Sequence, residues 1–154
     1  MLFTGRSEHT LDSTLRLAIP ARFRNQWQPE RDGNAWMCLP WPSGCLRLYT
    51  EGAFTVLSRR YGQTLGGDDA ETAVDTMLFG MAERLEHDTA GRVMLPKHQI
   101  ELAQMDAGPK SSVTLVGAGN RLEVWDTARW QKEERERFTK LPELLKRLSK
   151  TKNE

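Results

Sequence analysis

Asp12 and Arg16 stand four positions apart, and Asp88 and Arg92 repeat the pair 76 positions later. An aspartate at the head of a turn accepts hydrogen bonds from nearby backbone N–H groups. An arginine four residues on begins the next strand. Its planar fork of five donors suits a phosphate, or the O6 and N7 of guanine. The alternative is that the two side chains pair only with each other and pin the turn. Around the first pair the neighbours favour DNA contact: Arg22 and Arg24 follow, and Ser13 to Pro29 holds three arginines and no acid. Around the second pair the two readings stand level. There the matching stretch offers only Lys97 and His98, with Glu101 close behind.

Other chemistry finds little support. His9, His87 and His98 are scattered, without Ser or Cys company in a nucleophile motif. There is no phosphate-cradling glycine loop, no HExxH and no paired-cysteine metal motif, so neither an enzyme nor a cofactor is expected. Gly117-Ala118-Gly119-Asn120 lies between two strand-like runs and reads as a hairpin loop. Cys38 and Cys45 are too few for a disulfide framework or a four-ligand zinc site, and buried free thiols are expected.

With 38% hydrophobic and 28% charged residues, the 154-residue chain has the composition of a soluble globular protein. No run approaches the roughly 18 apolar residues of a membrane helix. The start of the chain is polar by Thr4 and lacks a charged-then-apolar leader, so a cytoplasmic protein without a membrane partner is expected. A net charge of +1 hides strong local asymmetry. Gly66 to Asp88 carries seven acids against Arg84 alone, whereas Lys140 to Lys152 carries five bases and one acid. A phosphate backbone responds to the local field rather than to the net charge.

The elements that must position these residues come in two copies. The 76-residue shift lays Leu11–Pro20 on His87–Pro96 and Leu46-Arg47-Leu48-Tyr49 on Leu122-Glu123-Val124-Trp125. Phe3 falls on Phe79, Gln28 on Gln104 and Leu39 on Leu115. Each copy predicts a strand, a polar turn at the aspartate, and an apolar strand at Leu17–Ile19 or Val93–Leu95. Pro20 or Pro96 then opens a short helix. In the first copy Phe23 and Trp27 are expected to share a helical face. Two more strands follow, Trp36–Leu39 with Leu46–Tyr49 and Val113–Val116 with Arg121–Trp125. Each copy ends in a helix, with Phe54, Leu57 and Tyr61 on one stripe, and Trp130 and Phe138 on the other. Between the copies, Asp68-Asp69 can cap a helix whose apolar face is Val74, Met77, Leu78 and Met81.

The expected division is 1–62 for the first repeat, 63–78 for a helical linker, 79–140 for the second repeat and 141–154 for a charged tail. One copy of ~70 residues has too little apolar area to fold well alone. Two copies sharing one core imply a β-rich α+β protein, pseudo-twofold within one chain, with peripheral helices. An interaction module without DNA function is the competing reading. It would use the acidic linker and the apolar helix faces.

From about Leu2 to Phe138 the chain resembles the MraZ family of bacterial transcriptional regulators, relatives of the AbrB/SpoVT proteins. The resemblance rests on Leu11–Arg24 and Gly44–Tyr49, and in the second half on Asp88–Pro96 and Arg121–Asp126. It implies a tandem swapped-hairpin β-barrel of AbrB/SpoVT type. It also implies a ring-like homo-oligomer associated with the nucleoid. Such a ring would bind direct repeats in double-stranded promoter DNA ahead of the division and cell-wall gene cluster. Arg16 is then the foremost DNA contact, with Asp12, Arg22, Arg24, Asp88 and Arg92 around the two corners. The sequence departs from the family at Thr14-Leu15, where Lys-Gly is usual. Loss of the lysine removes a phosphate contact, although Thr14 remains among the expected DNA-binding residues, and loss of the glycine removes easy access to positive φ. A different first turn is therefore expected.

Overall fold

The computed structural model describes residues 1–60 and 65–153, with the side chain of residue 153 left aside. Among the described residues, eight strands and six helices follow one another. The first half comprises β1 (Arg6–Thr10), β2 (Arg16–Ala18), α1 (Ala21–Arg24), α2 (Pro29–Asp32), β3 (Trp36–Trp41), β4 (Cys45–Thr50) and α3 (Glu51–Ser58). The second comprises α4 (Asp69–Met81), β5 (Glu83–Leu85), β6 (Arg92–Met94), α5 (Lys97–Leu102), β7 (Ser112–Gly117), β8 (Leu122–Asp126) and α6 (Thr127–Asn153). No helix among the described residues is long and apolar enough to cross a membrane.

The protein is mixed α+β. Six strands form an antiparallel sheet in the order β1-β7-β8-β4-β3-β5, and β2 pairs with β6 in a separate two-stranded ribbon. The sheet is open, with β1 and β5 at its edges, so the expected closed barrel is not formed. Strands β1 to β4 recur as β5 to β8 at the 76-residue offset. Exchanging the two halves turns the sheet order into its own reverse. Each short opening strand, β1 or β5, pairs with the third strand of the other half.

One apolar cluster joins both layers. Leu17 and Val93 of the ribbon pack with Phe3, Phe23, Trp36, Leu46, Leu115 and Val124, among others. Strands β3, β4 and β8 are buried along most of their length and β7 at Val113, Thr114 and Leu115, in keeping with their apolar runs. Gly117 has no space for a side chain, because a Cβ there would lie 2.6 Å from the Phe3 carbonyl carbon. That close approach lets Phe3 cross the β7–β8 hairpin and bridge to Gly119.

Helix starts follow their caps. Thr50 accepts a hydrogen bond from the Ala53 N–H at 3.1 Å, and Asp68 one from the Glu71 N–H at 2.8 Å. Pro20 and Pro96 sit one residue earlier than expected, as caps before α1 and α5. Helix α1 stops at Arg24, so Phe23 and Trp27 share the core without sharing a helical face. Trp27 instead reaches it from the turn that follows, donating its indole N–H to the Gly33 carbonyl at 2.7 Å. Phe54 packs on Tyr49 and Phe79, while Tyr61, the last member of its expected stripe, lies outside the described residues. Trp130 packs on Trp125, but Phe138 is 76% exposed, so that stripe is split between core and solvent. Helix α6 runs through Lys140 without a break, with Pro142 inside it.

Candidate nucleic-acid interface

The site is the outer face of the β2–β6 ribbon and the two turns that feed it. In the register Arg16 lies opposite Met94, Leu17 opposite Val93, and Ala18 opposite Arg92. Because strand side chains alternate, burial of Leu17 and Val93 sends Arg16 and Arg92 outward. Both guanidiniums therefore emerge from one small surface, with side chains 35% and 38% exposed.

Each turn is built in the same way. Asp12 Oδ1 accepts the backbone N–H groups of Thr14 and Arg16, each at 2.9 Å, and also the Thr14 hydroxyl. Its Oδ2 accepts Arg16 Nε at 2.8 Å. Asp88 Oδ1 accepts the N–H groups of Ala90 and Arg92 at 2.9 Å, and its Oδ2 accepts Arg92 Nε at 2.8 Å. The backbone N–H of Arg16, helped by Thr14 and the guanidinium, holds the Asp12 carboxyl far below the usual carboxylate range. The Arg92 N–H leads the same effect on Asp88, which is also lowered.

The two turns also pair with each other. Arg16 Nη1 is 3.8 Å from Asp88 Oδ2, and Arg92 Nη1 is 3.8 Å from Asp12 Oδ2. Two arginines and two aspartates thus close a ring of alternating charge. The pairing read from the sequence is present: the carboxylates pin their turns, and the arginines remain partly exposed. Nε and Nη1 of each arginine face carboxylates, and the rest of the five-donor fork is what an incoming acceptor could use.

Leu15 takes φ 64 where Gly91 has φ 75, so the first turn keeps the geometry of the second despite the missing glycine. The expected difference in the turn is overturned. Leu15 adopts the left-handed conformation, its side chain packs against the core cluster, and its carbonyl accepts Leu95 N–H at 3.0 Å.

The remaining basic candidates diverge. Arg24 donates from Nε to the Ile19 carbonyl at 2.9 Å and lies against Gly91, beside the second corner. Arg22 lies over the Phe23 ring at 4.6 Å and beside Gly5, on the other side of α1. Thr14 is exposed at the tip of the first turn.

One contact went unread in the sequence. His87, directly before Asp88, is half-buried against Trp27 and Trp36, and its Nε2 accepts the Trp36 indole N–H at 2.7 Å. Burial, helped by the positive charge of Arg24, pushes the His87 pKa down. The shift of 76 places His87 on the buried Leu11, and that core-facing position was the available signal.

Fold and site together define a mixed α+β protein with two equivalent aspartate–arginine corners set side by side over a shared core. The model of the MraZ protein family matches residues 78–148. A transcriptional regulator MraZ of Shewanella amazonensis is 31% identical over 84% of this chain and 83% of its own length. One from Azoarcus is 34% identical over 86% of each chain, and one from Yersinia enterocolitica 31% identical over 86% of this chain and 84% of its own. The chain belongs to the MraZ family.

Proposed function

We propose that the protein is a sequence-specific DNA-binding transcriptional regulator, acting as a homo-oligomer on repeated promoter boxes. Its relatives carry the name transcriptional regulator over most of their length, and this supports the coarse reading. The observation that carries the finer one is the placement of Arg16 and Arg92 on a single exposed ribbon, each aimed by a carboxylate. A guanidinium fixed in this way loses less conformational freedom when it meets a guanine edge or a phosphate. Arg16 is the foremost contact, with Thr14 at the tip of its turn. Arg24 and Arg92 serve the second corner, Asp12 and Asp88 position the arginines, and Arg22 reaches phosphate from the flank.

The ribbon between strands 76 residues apart, and the exchange of β1 and β5 between halves, support descent from the swapped-hairpin AbrB/SpoVT fold. The corresponding division is 1–62, 63–78, 79–140 and 141–154. The charge ring is neutral as a whole, so one subunit offers duplex little net attraction. A ring-like assembly sets several Arg16 corners in a row, and each further corner acts at high effective concentration. The target is the promoter region of the division and cell-wall gene cluster, and the protein works in the cytoplasm on the nucleoid.

The competing reading is a non-enzymatic interaction module without DNA function, and that neutral charge ring is the observation in its favour. Heparin retention and a salt titration on duplex from the region upstream of the protein's own gene separate the two. A regulator is retained, and its affinity falls steeply with salt as counterions are released. An unretained protein with no measurable duplex affinity at low salt would sink the regulator.

A further inference from the structure

The second half of α6 stands away from the body. Every residue from 138 to 152 is exposed, whereas Arg137, just before them, still lies over the Trp125 ring at 5.0 Å. A helical arm with nothing packed on it draws little stability from its own propensity. Yet it carries Phe138, Leu141, Leu144, Leu145 and Leu148, all exposed. Phe138, Leu141, Leu145 and Leu148 follow one another at steps of three, four and three, the a/d spacing of a coiled-coil seam. The same seam continues to Glu134 on one side and Lys152 on the other, each four residues beyond the apolar run.

We infer that this arm pairs antiparallel with the same arm of a second copy, about a twofold axis near Glu143. Reversing one helix about that point sets Phe138 against the partner copy's Leu148 and Leu141 against its Leu145. Each apolar layer is then filled. Glu134 meets Lys152 at both ends of the seam. In a parallel pair, Glu134 would face Glu134 and Lys152 would face Lys152, so like charges would meet at each end. Leu144 flanks the seam next to the axis and covers its edge. Glu134 already pairs with Arg6 at 2.9 Å and stays partly exposed, so it can take Lys152 as a second partner. The inference deepens the oligomeric part of the proposed function, and rests on it only in taking another copy of the chain as the partner.

Two variants that each add one cysteine, Phe138→Cys and Leu148→Cys, test it. Both positions are exposed, so neither change disturbs the core. The native thiols are buried, and burial pushes their pKa up, Cys45 to about 11, so they do not compete under mild oxidation. An equimolar mixture of the two variants is oxidised and the disulfide-linked species are separated. The mixed Phe138→Cys/Leu148→Cys disulfide should exceed either homodisulfide several-fold, and each variant alone should cross-link poorly. Dominant homodisulfides would establish a parallel arrangement and overturn the inference, and so would the absence of cross-links in a protein that sediments as an oligomer. A wild-type protein that sediments as a monomer at micromolar concentration would overturn the oligomeric reading as well.

Discussion

At Arg16 and Arg92 the proposed function gives the same side chains two tasks, structure and recognition. Each guanidinium spends Nε on its own turn and leans Nη1 towards the opposite one. Lysine cannot reproduce that fork, because its charge is a compact point on a flexible stem. Arg16→Lys should therefore keep the salt-dependent affinity for random duplex and lose discrimination for promoter DNA. Competition binding against random duplex measures this, and an unchanged specificity ratio would refute a role for the fork. His87 supplies a second test at this scale. Its folded pKa is depressed, whereas in the unfolded chain it takes a proton near 6.5. The unfolded state thus binds more protons in the window below that value. The stability it contributes is complete above about 6.5 and is lost as pH falls through the depressed folded value. Melting temperature should drop between pH 7.5 and 5, and His87→Gln should lessen the drop, leaving a residue from His9, whose pKa is also lowered by burial. Equal declines in both proteins would contradict this. Asp12 and Asp88 contribute nothing in this window, because both stay ionised throughout it.

At the scale of elements, much was legible because it depends on near neighbours in the chain. The Asp–Arg turns, the Asp68 cap and the hairpin turns all span four residues or few more. What escaped depends on partners distant in sequence. The Arg16–Asp88 pairing needs the β2–β6 ribbon, and the Trp36–His87 bond joins residues 51 apart. The small helix α2 escaped because it is fixed by one buried side chain: Asp32 accepts the Gln28 N–H at 2.8 Å and pairs with Arg31. The first turn was misjudged because a propensity rule about glycine was applied without the packing that holds Leu15 at positive φ. Its counterpart Gly91 has less freedom to change, since a Cβ there would lie 2.7 Å from Arg24 Nε. Gly91→Ala should cost about 1–3 kcal/mol for the left-handed backbone, with the Arg24 contact adding to it. Denaturant unfolding measures that cost, which should shrink in an Arg24→Ala background. Strict additivity of the two changes would show that Arg24 does not press on Gly91.

For the whole molecule, the duplicated sequence reads as one core because neither half closes its own. β1 completes the sheet beside β7, and β5 beside β3. The open sheet was not legible, because the pairing pattern of short strands does not reveal whether the two sheet edges meet. The number of copies in the proposed assembly is likewise a matter of surfaces rather than of the strand pattern. Binding by such an assembly should depend on box number. A duplex with repeated boxes should be bound at least tenfold more tightly than one with a single box, by effective concentration alone. Equal affinities would remove the need for assembly.

The most direct measurement is a protection footprint on the DNA upstream of the protein's own gene, with wild type and Arg16→Ala compared at equal concentration and salt. Wild type is expected to protect a set of regularly spaced boxes. The variant should protect none while keeping the wild-type oligomer size and a similar melting temperature. An unchanged footprint from correctly assembled Arg16→Ala would contradict the assignment of the arginine corner as the element that reads DNA.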